Sequence, residues 1–278
     1  MRHNTDRAPS VAGRVLDVLG AFTPDRSELS LSELSRRTGL PLSTAHRLVG
    51  ELTRRGALER TDRGRYRVGL WLWEVASLAP HGMGLRETAM PFLEDLYEAT
   101  HENVQLVVLD APDVVYLERI SGRGAVNVVS RPGGRLPAHA TGVGLVLLAH
   151  APAEVQESVL AAPLKRFTRN TIAAPDRLRR VLADVRRDGF AISDRQVELV
   201  ALSVAAPVFG PDDTVVAALS IVVPAEGAEP MALVPAVRAA ARGVSRSLGA
   251  PRTKSSAQRK VSSSGRAVES TLGVDRAE

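Results

Sequence analysis

Ser43, Arg47, Gly50 and Arg54 fall at i, i+4, i+7 and i+11, which lines a hydroxyl, two guanidinium groups and a bare Cα along one side of a helix. A guanidinium pairs bidentately with guanine O6 and N7, and a helix presenting one fits the major groove of DNA. Arg47 is therefore the first candidate for a base contact. Ser43 and Thr44, at the helix start, suit phosphate oxygens, helped by the free backbone N–H groups there. Arg54 and Arg55 are expected on the phosphate backbone, and Arg63, Arg65 and Arg67 along a groove edge.

A second group of residues suits a different ligand. Pro137-Ala138-His139-Ala140-Thr141-Gly142-Val143-Gly144 carries the chain through small residues into a helix, with Thr141 as its cap. Free N–H groups at such a start attract a carboxylate, and glycines let it approach the backbone. His139, Ala140, Thr141, Gly142 and Val143 form a candidate anion site on this reading. The same signature also serves a capped helix that simply packs tightly. Arg131 and Arg135 either meet an acidic ligand or stay in solvent.

Other chemistry finds less support. His139, Ser203 and Asp194 have the residue types of a hydrolase triad, but Ser203 lies in a strand-like run without a Gly-x-Ser-x-Gly elbow. The histidines at 3, 46, 81, 101, 139 and 150 show no metal-ligand pairing, and the chain has no cysteine. Neither a metal site nor a cofactor is expected.

The elements that must position these groups are legible nearby. Ser30 and Glu33 have capping-box spacing, Gly39 stops the helix they open, and Leu40-Pro41 makes the turn into the next. In that second helix Ala45, Leu48, Val49 and Leu52 form the apolar face. Leu58 to Val68, turning at Asp62–Gly64, reads as a hairpin in which Tyr66 and Val68 alternate with Arg65 and Arg67. Together with a first helix over 10–22 this is a winged helix-turn-helix, bounded at 8–69, with the helix-turn-helix itself at about 30–49. Residues 70–84 form a linker helix and hinge. Trp71 and Trp73 there are expected to bury against a partner subunit or the adjoining domain, with packing inside their own domain as the alternative.

Residues 85–249 read as an α+β domain. Helices are expected at 85–100, 142–150, 153–160, 175–187 and 229–248, and strands at 104–109, 114–119, 125–129, 203–208 and 214–223. From 250 the composition turns to Ser, Thr, Lys and Arg, that of a disordered tail. The charge divides along the same lines. Residues 1–68 carry 13 Arg and Lys against 8 Asp and Glu (+5), residues 69–248 carry 17 against 20 (−3), and residues 249–278 carry 6 against 3 (+3). A cationic domain that holds phosphates joined to a slightly acidic one fits this split. No apolar run reaches the length of a membrane span, and the N-terminal segment lacks the apolar stretch of a signal peptide, so the expected location is cytoplasmic.

The stretch Leu34-Ser35-Arg36-Arg37-Thr38-Gly39-Leu40-Pro41-Leu42-Ser43-Thr44-Ala45-His46-Arg47-Leu48, followed by Gly64-Arg65-Tyr66-Arg67-Val68-Gly69, resembles the IclR-type transcription regulators. The resemblance continues through residues 135–144, Ala205-Ala206-Pro207-Val208 and Val215–Ser220, and covers about residues 8–250. It implies a winged helix, a linker helix and a GAF-like effector-binding domain. It also implies dimers, often paired into tetramers, that bind double-stranded operator DNA under control of a small molecule. By the family layout Asp194, Glu198, Ser203 and Ser220 supply polar lining to the effector site.

This chain departs from the family pattern in three places. Leu42 stands where many members have lysine, Val200 where they have glycine and Ser203 where they have cysteine. The Asp194-x-Gln196-x-Glu198 pattern with serine is closer to members that respond to aromatic acids. The expected function is a ligand-responsive regulator, a repressor controlled by a small organic acid. The alternatives are an enzyme with an appended nucleic-acid module and a constitutive DNA binder.

Overall fold

The computed structural model describes residues 10–23, 25–78 and 83–251, in two compact units, Met1–Glu87 and Thr88–Glu278. The tail expected beyond Pro251 and the break expected at His81-Gly82 lie outside the described residues.

The first unit contains α1 (Val11–Gly20), β1 (Glu28–Leu29), α2 (Leu31–Thr38), α3 (Leu42–Arg54), β2 (Leu58–Arg60), β3 (Tyr66–Val68) and α4 (Leu70–Ser77). The capping box forms as the spacing predicts. Glu33 N donates to Ser30 Oγ at 3.3 Å, and Ser30 N donates to Glu33 Oε2 at 2.7 Å. Gly39 ends α2 with a φ of +69°, a left-handed conformation in which a side chain would be strained. Pro41 then caps α3, and Ala45, Leu48, Val49 and Leu52 turn inward against Val18, Leu29, Leu34 and Leu58. The wing is a three-stranded antiparallel sheet in the order β1-β3-β2. Gly69 at its end is required by space, because a Cβ there would strike the Gly56 carbonyl.

α4 keeps Leu72 against this core and leaves its two tryptophans in solvent, Trp71 45% and Trp73 58% exposed in the single chain. Packing within their own unit therefore does not account for them.

The second unit is built on a six-stranded antiparallel sheet in the order β6-β5-β4-β9-β8-β7. Its elements are α5 (Met83–Thr100, which starts ahead of the unit boundary), β4 (Asn103–Asp110), β5 (Asp113–Ile120), β6 (Arg135–Pro137), a 3-10 turn (Ala138–Ala140), α6 (Gly142–His150), α7 (Ala153–Ala161), α8 (Pro175–Asp188), β7 (Ala191–Asp194), β8 (Ala201–Phe209), β9 (Val215–Pro224) and α9 (Pro230–Ser247). Side chains alternate across a strand. Val107, Ala205 and Ala218 join the core formed by α6 and α8, while Leu106, Val204, Leu219 and Ile221, one residue out of phase, are also buried. α9 packs along β8 and β9 and meets α5, where Gly243 leaves room for the Phe92 ring.

The strand expected at 125–129 does not form. Carbonyls that a neighbouring strand would take are held by side chains instead: Asn103 Nδ2 donates to Val126 O at 2.8 Å, and Arg119 Nη1 donates to Val128 O at 3.3 Å and Ser130 O at 2.7 Å. The place beside β5 goes to β6, and β7 closes the opposite edge.

Candidate DNA interface and effector cavity

The inward face of α3 leaves Leu42, Ser43, His46, Arg47, Gly50 and Arg54 exposed, with Thr44 half-buried. Arg47 and Arg63 are exposed and have no ion-pair partner among the described residues. The other four expected arginines are already engaged with carboxylates. Arg54 and Arg55 both bind the Glu51 carboxylate, Arg55 Nε to Oε1 at 2.7 Å. Arg67 donates to Glu59 Oε2 at 2.8 Å. Arg65 reaches Glu33 Oε2 at 2.7 Å and the Glu28 carbonyl at 2.9 Å. The sequence reading put Arg65 and Arg67 along a groove edge. The structure ties them to carboxylates of their own unit, because hairpin pairing brings Arg67 opposite both Glu28 and Glu59 and carries Arg65 to the start of α2.

These contacts hold three carboxyls below their ordinary values. For Glu33 the main cause is the hydrogen bond from the Ser30 backbone, for Glu51 that from Arg55, and for Glu59 that from Arg67. His46 was noted in the sequence only as an unpaired histidine, yet it shares the exposed stripe with Arg47. The signal was its place one turn after Ser43.

In the second unit a cavity of about 50 Å³ opens at the start of α6. The chain arrives there because Gly142 and Gly144 allow close packing: a Cβ on Gly144 would collide with the Ala138 carbonyl, and one on Gly142 would stand 2.7 Å from Ser203 Oγ. Thr141 Oγ1 accepts from Gly144 N at 3.0 Å and so caps α6, leaving the N–H groups of the cavity-lining Gly142 and Val143 without a backbone partner among the described residues. Ala140, Thr141, Gly142, Val143, Glu198, Ser203 and Ser220 all line it.

Two of the expected residues do not. His139 is buried beneath the segment with Nε2 2.9 Å from the Lys165 carbonyl. Asp194 lines a second, more voluminous cleft of about 360 Å³ with Arg169 and Arg177 and pairs with Arg195 at 2.9 Å. It lies on β7 where alternation turns it away from Ser193, which does line the cavity. Of the three residues with hydrolase-triad types, only Ser203 lines the cavity.

Sequence reasoning found Thr141 and Ser220 but missed the other buried polar residues of the lining, Gln105, Ser130, Ser193 and Gln196. Of the ten buried polar residues among those described, six line this one cavity: Gln105, Ser130, Thr141, Ser193, Gln196 and Ser220. Gln105 Nε2 donates to Ser130 Oγ at 2.7 Å, and Ser220 Oγ donates to Gln105 Oε1 at 3.3 Å. Burying polar groups costs free energy, so their concentration here marks a site rather than an accident of packing. Tyr116, 3% exposed, lines it too, and its hydroxyl has no partner among the described residues. Burial, with the Glu198 charge adding to it, pushes the phenol well above its ordinary value, which keeps it a neutral donor. Glu198 is the single charged residue in the lining, and its Oε2 accepts from Val129 N at 3.2 Å across the opening. The lining thus combines backbone N–H and hydroxyl donors with one carboxylate acceptor.

Family models decide the class. That for the IclR helix-turn-helix domain matches residues 11–62, and that for the bacterial transcriptional regulator IclR C-terminal domain matches residues 78–246. The chain belongs to the IclR family. The HTH-type transcriptional regulator XynR of Escherichia coli (strain K12) is 33% identical over 210 residues, 75% of this chain and 83% of that protein. The glycerol operon regulatory protein of Streptomyces coelicolor is 33% identical over 245 residues, 86% and 96% of the two chains. The crystal structure of an IclR homolog complexed with 4-hydroxybenzoate, from Microbacterium hydrocarbonoxydans, is 41% identical, covers 86% of this chain and 99% of that one, and superimposes with a TM-score of 0.81.

As an IclR-family member the chain is a DNA-binding transcription regulator with an N-terminal helix-turn-helix domain and a C-terminal α+β domain. Of the departures from the IclR pattern, Leu42 is 54% exposed at the start of α3, Val200 is exposed, and Ser203 takes the place of a thiol beside Gly142. Among the described residues no cluster of His, Cys, Asp and Glu could hold a metal ion, and no helix is long and apolar enough to cross a membrane.

Proposed function

We propose that the chain is a cytoplasmic repressor whose affinity for operator DNA is set by a small hydroxylated carboxylic acid, of the size of 4-hydroxybenzoate, bound at the start of α6. The observation that carries this reading is the polarity of the cavity lining, which combines the Gly142 and Val143 N–H groups and the Ser203 and Tyr116 hydroxyls with a single carboxylate, Glu198. A carboxylate is favoured beside free helix N–H groups, and a hydroxyl suits an acceptor carboxylate. The homolog with 4-hydroxybenzoate lends support, since it shares the fold at 41% identity.

The Glu198–Val129 bond joins two walls of the cavity, at Val128–Ser130 and Gln196–Glu198, and effector entry opens it. On this reading α4, through Trp71 and Trp73, joins protomers in a dimer or tetramer, and effector binding changes the spacing between paired winged helices so that operator affinity falls. The first domain extends over 8–69, the linker over 70–84 and the effector domain over 85–249. There is no catalytic step, and the ligand leaves unchanged.

Isothermal titration of the full chain with 4-hydroxybenzoate, paired with operator binding with and without it, tests the proposal. Saturable binding that weakens operator affinity supports it. Binding without effect on DNA, or consumption of the ligand, overturns it.

A further inference from the structure

Gly50 lies inside α3, and nothing about the folded chain asks for a glycine there. Its φ is not positive, and an ideal Cβ at this position meets no atom within 4 Å. Gly144 and Gly243 have reasons, the first clearing the Ala138 carbonyl and the second making room for Phe92, and Gly20 and Gly84, which also have open space, lie at helix ends. Glycine is among the least favourable residues for a helix interior, because it loses the most backbone freedom on folding. At Gly50 the fold obtains nothing in return.

The position supplies the reason. Gly50 is exposed on the stripe of Ser43, His46 and Arg47, one turn beyond Arg47 and one turn before Arg54. A side chain on a helix lies over the turn N-terminal to its own Cα. A side chain at 50 would therefore stand between the helix and whatever the Arg47 guanidinium touches. We infer that Gly50 is a close-approach position, where the bare Cα of α3 comes into van der Waals contact with the DNA and so fixes how deeply Arg47 and His46 enter the groove. The part of the duplex that takes the contact is apolar, either the C5-methyl of a thymine or a deoxyribose. This inference rests on α3 being the reading helix.

The test uses the full-length protein and duplexes that it selects from a random library. Gly50→Ala raises the melting temperature, since alanine is the better helix former and has open space. It also weakens binding to the selected duplex at least tenfold, and Gly50→Val weakens it further. Binding to random-sequence duplex changes less. Restoration of Gly50→Ala binding by replacing one thymine with uracil identifies the base methyl; equal weakening on every uracil-substituted duplex identifies the sugar, and either agrees with close approach. Unchanged or tighter binding by Gly50→Ala overturns the inference, and so does a lower melting temperature, which would give the glycine a structural reason. Arg47→Ala is measured alongside. If it too leaves binding unchanged, α3 is not the reading helix and both readings fall; if only Gly50→Ala is silent, the close approach alone falls.

Discussion

Arg65 on the wing and Glu33 at the start of α2 are joined by an ion pair of 2.7 Å, in which the same carboxylate oxygen also accepts the capping-box hydrogen bond from Ser30 N. The wing is therefore fastened to the helix-turn-helix through the residue that starts it. Arg65→Ala is expected to lower the melting temperature of the first unit and weaken operator and random DNA alike, with the salt slope little changed, because this guanidinium already has a partner. A salt slope reduced by about one would instead assign it to a phosphate.

Arg47 is the contrasting case, exposed and without an ion-pair partner among the described residues. Arg47→Ala should cost about 1–3 kcal/mol on the selected operator, roughly 5- to 150-fold, and much less on random DNA. Competition binding to both duplexes reads the difference, and equal losses would remove the base contact.

Acid should loosen the first unit. Glu33, Glu51 and Glu59 have carboxyls held below the ordinary glutamate value of 4.5 in the folded chain. A group depressed by folding adds stability above its unfolded value, and that stability is lost as pH falls through the folded value. Amide exchange in α2 and α3 should therefore accelerate as pH drops below about 4.5, after correction for intrinsic rates. Glu33→Gln should flatten that dependence in α2, and an unchanged profile would show that the cap is not pH-linked.

Tyr116→Phe and Ser203→Ala each remove one donor from the cavity while keeping its shape. Each should weaken 4-hydroxybenzoate about tenfold, in the range of a hydrogen bond to a charged group, with little change in melting temperature. Titration calorimetry at neutral pH checks both. Affinity that is untouched in both variants would move the ligand out of this cavity.

Replacing Trp71 and Trp73 together by serine should shift sedimentation from an assembly to a monomer, since both rings lie on an exposed face. Unaltered sedimentation would place the interface elsewhere.

The helix-turn-helix was legible because its signals are local: the Ser30–Glu33 box, the Gly39 stop and the inward set Ala45, Leu48, Val49 and Leu52 are all read within a turn or two. The Thr141 cap was legible for the same reason. Short edge strands were not. β1, β6 and β7 contain two, three and four residues, too few for an alternation to show. The ion pairs of Arg65 and Arg67 depend on hairpin register, which brings together residues far apart in the chain. Gln105 was missed in the same way, although a signal was present: it interrupts the apolar run of β4, where a strand buried on both faces should be apolar throughout, as the expected Ser220 does in β9.

Gln105 and Ser220 are also directly opposite partners in the β4–β9 ladder at the centre of the sheet. Moving either would take a register slip, and a slip of one residue would turn every core side chain of that strand outward. The floor of the cavity is thus locked to the fold. The freedom to meet new ligands lies in the walls, at 128–130 and 196–198, which are irregular segments outside the ladder. A library aimed at a different effector should randomise those walls and leave the strands alone.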